Sequence, residues 1–287
     1  MAAQPAFDPV RFKNMTREQW DQVADRWNAW GWLIQEWLGP ATEIMLDMAR
    51  IGPGSRVLHV AAGSGQEAIQ TARRIGSDGY ILATDFSENL VRLIRQNAEA
   101  AGLRNVDAQL MDGEELEVPH GSFDGVTSRV GLMFFPDQQK SVERMKAALK
   151  PGGWVAAIVF ATPEENRFFS EPVGIVRRRA GLPPPLPGQP GPFSLGAPGR
   201  IESLFEAAGL INVHSRKAPA PLRMRSAAEC LRFEQESFGA LHQMLSGLDQ
   251  AGRNAAWEEV GSALREFETD DGFAGPCLLV VAAGQKP

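Results

Sequence analysis

Between Met15 and Ile51 the apolar residues Trp20, Val23, Trp27, Trp30, Ile34, Trp37 and Leu38 recur three or four positions apart, the stripe of amphipathic helices. Gly39-Pro40 is expected to interrupt that stripe, with Thr42 capping a further helix through Met48. Beyond the Pro53-Gly54 turn the pattern changes. Short continuous apolar runs now alternate with helical periodicity: a strand at Val57 to Val60, a helix from Gln66 to Ile75, and a strand from Tyr80 to Thr84 ending at Asp85. Ser87 then caps a helix from Glu88 to about Ala101. Strands at Val106 to Met111, Phe123 to Ser128 and Trp154 to Phe160 follow, with a helix from Lys140 to Leu149 before the last of them. Such alternation predicts a parallel sheet covered by helices on both faces.

The stretch between Gly181 and Gly199 holds seven of the twenty prolines, so no regular element is expected there and a lid or binding loop is. Ile201 to Ala208 reads as a helix and Asn212 to Ala218 as a strand. Ser226 to Leu248 and Ala255 to Phe267 read as helices, and Cys277 to Ala283, CLLVVAA, as a closing strand.

Composition narrows the function classes. With 287 residues and 44% hydrophobic content, one decorated domain can build a full core. A net charge of -6 disfavours nucleic acid as a partner. The two cysteines, Cys230 and Cys277, lie far apart, so neither a disulfide framework nor a metal site is expected. The N-terminus lacks the apolar core of a signal peptide and no run is long enough to span a bilayer, so a soluble, cytoplasmic protein is expected.

The chemistry concentrates at VLHVAAGSGQEA. Gly63-x-Gly65-x-x-Ala68 after a buried strand, with Asp85 at the distance of a ribose-binding acid, fits a nucleotide fingerprint. That turn by itself admits a nicotinamide cofactor, S-adenosylmethionine, or a tight strand-to-helix turn with no ligand.

The motifs that follow are Asp112-Gly113, Ser122-Phe123-Asp124, SRVGLMFFPD from Ser128 and LKPGGWVAA from Leu149. In that order they resemble a class I S-adenosylmethionine-dependent methyltransferase, in the branch containing the ubiquinone and menaquinone biosynthesis methyltransferases. The resemblance implies an α/β, Rossmann-like seven-stranded sheet of order 3-2-1-4-5-7-6, its last strand antiparallel. It implies an N-terminal helical lid over residues 1–50, a cofactor-binding core over 51–162, and a Pro-rich lid or substrate loop over 163–200. The end of the core, 201–287, would carry a helical insertion at 226–268.

The implied reaction is methyl transfer from S-adenosyl-L-methionine to a small apolar or aromatic acceptor. A non-catalytic S-adenosylmethionine or S-adenosylhomocysteine binder and a nicotinamide-dependent oxidoreductase are the alternatives. Gly63 and Gly65 would admit the methionine part, and Asp85 would accept from the ribose hydroxyls with Phe86 against the adenine. Asp112 would accept from the adenine amine beside Met111 and Gly113, or simply form an Asp-Gly turn. Ser128 and Arg129 end the fourth strand, where Arg129 can meet a ligand carboxylate or a scaffold acid. Core packing accounts for most of the N-terminal tryptophan stripe, and the resemblance singles out Trp27 as the aromatic contact on the cofactor side.

Two positions depart from the family pattern: His59 stands where an acid is common and Ala61 where a glycine is. A neutral imidazole offers no negative charge to the methionyl ammonium, so weaker, pH-sensitive cofactor affinity is expected. The candidate for a general base is His242, on the inserted helix. Membrane insertion is not expected; a homodimer is compatible with the sequence.

Overall fold

The computed structural model describes residues 7–186 and 188–287. Seven strands form the main sheet: β1 (Arg56–Val60), β2 (Tyr80–Asp85), β3 (Val106–Leu110), β4 (Phe123–Arg129), β5 (Leu149–Phe160), β6 (Ile211–Pro219) and, after the short strands named below, β10 (Leu278–Gln285). Their order is β3-β2-β1-β4-β5-β10-β6, with β10 antiparallel to both its neighbours, the topology that the resemblance implies. The central strands carry apolar residues without interruption because helices cover both faces; Val57, Leu58, Val126, Ile158 and Val281 are fully buried.

Helices α3 (Gln66–Ile75) and α4 (Glu88–Ala100) connect β1 to β2 and β2 to β3. α4 begins where the sequence reads a cap: the Ser87 hydroxyl accepts the Leu90 N–H. α5 (Gln138–Ala148) and α7 (Arg200–Ala207) precede β5 and β6.

The N-terminal segment folds as α1 (Pro9–Ala29) and α2 (Gly31–Met48), separated by Trp30. Asp8 caps α1, accepting from the N–H groups of Val10 and Arg11. The expected break at Gly39-Pro40 does not occur, and Thr42 is no cap; it sits inside α2 and donates to the Leu38 carbonyl at 2.9 Å. Pro40 forfeits one helix hydrogen bond, but burial of Trp37, Leu38, Ala41, Met45 and Leu46 on either side outweighs that loss.

Three further features go beyond the periodicity. Residues 167–179 form a helix, α6 (Arg167–Arg179), so among the described residues of the 163–200 segment it is the part after Arg179 that lacks regular structure. The stripe from Ser226 to Leu248 is two helices, α8 (Ala227–Ser237) and α9 (Gly239–Leu245), hinged at Phe238; α10 (Gln250–Leu264) follows. A small sheet of β7 (Leu222–Met224), β9 (Gly272–Gly275) and β8 (Glu268–Thr269), in that order, ties the insertion to the core. No helix among the described residues is long and apolar enough to cross a membrane.

Candidate functional site

The site grows out of the bend between β1 and α3. Ala61, Gly63 and Gly65 all take positive φ, 58°, 58° and 91°, which turns the chain sharply into the start of α3. A Cβ on Gly65 would come within 3.3 Å of Ile94, so glycine also lets α4 approach the bend. Ala61 has no such freedom, and its left-handed conformation stores strain.

A second strained residue lies at the end of β4. Val130, β-branched, has φ 52°, with its N–H donated to the Ile158 carbonyl at 2.8 Å. Both outliers stand at the carboxyl edge of the sheet, where open α/β folds place ligands.

Asp85 ends β2 at that same edge. One carboxylate oxygen accepts the Gly63 N–H at 3.0 Å and the other the Ser87 N–H at 3.1 Å, tying the acid to the bend. Burial pushes this carboxyl up to about 7, opposed by the N–H donors of Ser87, Gly63 and Phe86 and assisted by nearby Asp21. Each oxygen retains a lone pair for a hydroxyl donor.

Trp27 lies over the bend, its indole nitrogen 3.6 Å from where a Gly63 Cβ would stand. Phe86, Met111 and Asp112 line a cleft of about 190 Å³ together with Lys13, Asn14 and Arg17 of α1. Lys13 donates to Asp112 at 2.7 Å and also pairs with Glu114, holding α1 against the exit of β3. Gly113 is buried, and a Cβ there would strike the Phe135 ring at 2.6 Å. A larger cleft of about 470 Å³ between the starts of α5 and α7 contains none of the expected site residues.

Other expected residues face elsewhere. His59 is fully buried, and register explains its surroundings: β1 pairs with β4 so that His59 stands beside Thr127, on the same sheet face. Its Nδ1 meets the Thr127 hydroxyl and lies 2.8 Å from Glu67, the second residue of α3. Thr127 also donates to Glu67 at 2.6 Å. Arg129, two residues along β4, places its Nε 3.9 Å from the other Glu67 oxygen and donates to Thr42 at 3.1 Å. Burial pushes the Glu67 carboxyl up, but His59, Arg129 and the Thr127 hydroxyl outweigh it and hold the group at about 2. Arg129 thus pairs with the scaffold in this structure. Ser128 points to the opposite face, its hydroxyl buried and unpaired among the described residues.

His242 is exposed, its Nε2 at 2.5 Å from the Gln235 carbonyl and its ring against Trp257, away from the bend. His120 and His214 are also exposed.

Sequence reasoning missed Lys13, Glu67 and Thr127. A glutamate directly inside the helix after the bend, opposite a histidine in the strand, was the one available signal for the buried network. Nothing local connects Lys13 to Asp112.

Residues 40–172 match the family model described as the ubiE/COQ5 methyltransferase family. A demethylmenaquinone methyltransferase of Listeria welshimeri is 36% identical over 118 residues, 41% of this chain and 50% of that protein. The chain thus spans about half the length of that relative. Nocamycin O-methyltransferase of Saccharothrix syringae is 29% identical over 216 residues, covering 72% of this chain and 76% of that protein. Among solved structures, phosphoethanolamine N-methyltransferase 2 of Haemonchus contortus in complex with S-adenosyl-L-methionine superposes with TM-score 0.59. It is 20% identical and covers 98% of this chain and 60% of that one, a likeness of fold.

Proposed function

From the premise that this chain is a relative of the ubiE/COQ5 methyltransferase family through residues 40–172, we propose that it transfers a methyl group from S-adenosyl-L-methionine to a small, apolar or aromatic acceptor. The observation that carries this reading is the buried Asp85 joined to the Gly63 N–H beneath Trp27.

The residues present fit the cofactor. Asp85 keeps free lone pairs for two ribose hydroxyls, the N-terminal end of α3 faces a ligand carboxylate favourably through its dipole, and Phe86, Met111 and Asp112 border a cleft suited to a flat base. At about 190 Å³ that cleft is smaller than the ~300–1,000 Å³ of pockets that enclose a drug-sized ligand. α1 walls one side of that cleft, and Lys13, joined to Asp112 and Glu114, is the contact that holds it there.

When bound, the sulfonium supplies an activated methyl group. The chain has to align the two partners and exclude water, and proximity with orientation can contribute up to ~7–11 kcal/mol. Trp27 does both, offering an apolar ring over the bend and a π face to a cation. An aromatic layer of Trp27, Trp30, Trp37, Phe160, Phe169 and Phe233 supports an apolar or aromatic acceptor. The net charge of -6 supports a small molecule over nucleic acid.

Calorimetric titration with S-adenosylhomocysteine tests the reading. Wild type is expected to bind it and Asp85→Asn to bind it at least tenfold more weakly; equal affinity in both, or none in wild type, overturns the assignment of the site.

A further inference from the structure

α1 is fastened to the rim of the crevice by polar contacts, and one of them touches the turn that carries Asp85. Asp21, half-buried on α1, accepts the Ser87 hydroxyl proton at 2.5 Å and also meets the Asn89 N–H at 3.5 Å. The Asn89 side-chain amide donates to the Asp21 carbonyl at 3.1 Å. Ser87 is fully buried; its hydroxyl accepts the Leu90 N–H at 3.1 Å, and its own backbone N–H goes to Asp85 at 3.1 Å. A hydroxyl has one proton to give, and here it goes to Asp21.

A line of hydrogen bonds therefore runs from α1 to the glycine bend: Asp21, Ser87, the Asp85 carboxyl and the Gly63 N–H. Asp21 is also the titratable side chain whose charge reaches Asp85. The other charges on the surrounding elements are paired or exposed. Lys13 meets Asp112 and Glu114, Asp25 meets Arg92, and Glu67 meets His59 and Arg129, while Arg17 and Glu88 face solvent. Ser87 already supplies the cap that α4 requires. A second acid brought from α1 onto the same hydroxyl sets a like charge near a buried carboxyl, which is unfavourable and calls for a use.

We propose that Asp21 is a positioning residue for the cofactor, acting through Ser87 on the carboxylate that receives the ribose. This rests on the methyl-transfer reading above. The hydrogen bond fixes Ser87, whose N–H in turn aims one oxygen of Asp85. The charge acts in the opposite sense. A carboxylate on α1 discourages ionisation of Asp85, and the ribose hydroxyls need the ionised form as their acceptor. Asp21 therefore raises the pH at which the cofactor takes hold, and does so only while α1 is seated.

Calorimetric titration of the full chain with S-adenosylhomocysteine, from about pH 5.5 to about pH 8.5, separates the two effects in wild type, Asp21→Asn, Asp21→Ala and Asp25→Asn. Asp21→Asn keeps an acceptor for Ser87 and removes the charge. The pH at which affinity rises should fall by about half a unit or more, which is about a threefold gain in affinity on the acid side. Asp21→Ala removes charge and acceptor together. At about pH 8.5, with Asp85 ionised in every protein, it should bind at least about threefold more weakly than wild type, while Asp21→Asn stays within about twofold. Asp25→Asn makes the same change of charge one turn further along α1 and should leave the profile within about 0.2 units of wild type. Coincident profiles in wild type and Asp21→Asn overturn the proposal, as does an equal shift in Asp25→Asn or wild-type affinity in Asp21→Ala at high pH. A lower unfolding temperature in the Asp21 variants with neither change in binding also overturns it, leaving Asp21 as an acid that serves only the α4 dipole. All these outcomes leave the cofactor site standing, whereas a wild type that binds no S-adenosylhomocysteine at any pH overturns that site itself.

Discussion

Ala61 and Gly131 are far apart in sequence and meet at the crevice, which makes them a direct probe of the strain stored there. A Cβ built on Gly131 would stand 2.6 Å from the Ala61 methyl and 3.1 Å from the Ser128 hydroxyl, whereas ordinary carbon contacts lie at ~3.5–4.0 Å. Gly131 has φ −105°, a conformation any residue adopts, so Gly131→Ala isolates the steric term. Overpacking of this kind costs ~1–3 kcal/mol. Ala61→Gly relieves a left-handed alanine worth ~1–2 kcal/mol. It also enlarges the unfolded ensemble by ~0.4–1 kcal/mol, so the net expectation is stabilisation of about 0.5–1 kcal/mol. In the Ala61→Gly background the closest clash is gone, and Gly131→Ala should cost no more than ~1 kcal/mol. The double-mutant cycle should therefore return a coupling of about 1–2 kcal/mol, within the range for touching residues. Urea unfolding of the four proteins, followed by fluorescence and circular dichroism, measures it. Additivity within ~0.5 kcal/mol, or destabilisation by Ala61→Gly alone, would refute the claim that an alanine is forced into the bend and accommodated by a glycine opposite.

Three further outcomes are expected. Ribose hydroxyls donate to Asp85 only as the carboxylate, and burial holds its proton on up to about 7; S-adenosylhomocysteine affinity should therefore rise as pH increases through about 7, by up to tenfold per unit below it, and Asp85→Asn should flatten that profile. Glu67, at about 2 in the fold against an ordinary 4.5, contributes stability that is complete above about 4.5 and lost as pH falls to about 2; Glu67→Gln should destabilise the protein at neutral pH by ~3 kcal/mol or more and lose less on acidification, read from urea midpoints at successive pH values. Lys13→Ala frees Asp112 and Glu114 and unlatches α1, so stopped-flow association of S-adenosylhomocysteine should be several-fold faster than in wild type; an unchanged rate would mean that α1 does not gate entry.

Local pattern alone determined the strand, bend and helix at residues 57–75, the acid closing β2, the cap at Ser87 and the existence of the closing strand, because each depends on backbone preference or on periodicity over a few residues, whereas the antiparallel placing of that strand followed only from the resemblance. It failed at Gly39-Pro40, where the propensity to break a helix was overruled by packing that arrives from other parts of the chain. Within the site, the glycines and Asp85 were legible because a positive φ and a strand-end carboxylate leave marks in sequence. The partners of His59 and Arg129 were not, since strand register decides which side chains stand side by side, and register is a property of the assembled sheet. Likewise only the tertiary structure sets Lys13 on Asp112, Gly131 against Ala61, and Asp21 on Ser87. Each is a meeting of segments distant in the chain, fixed by how the sheet assembles and α1 closes over it and not by any preference of the residues themselves.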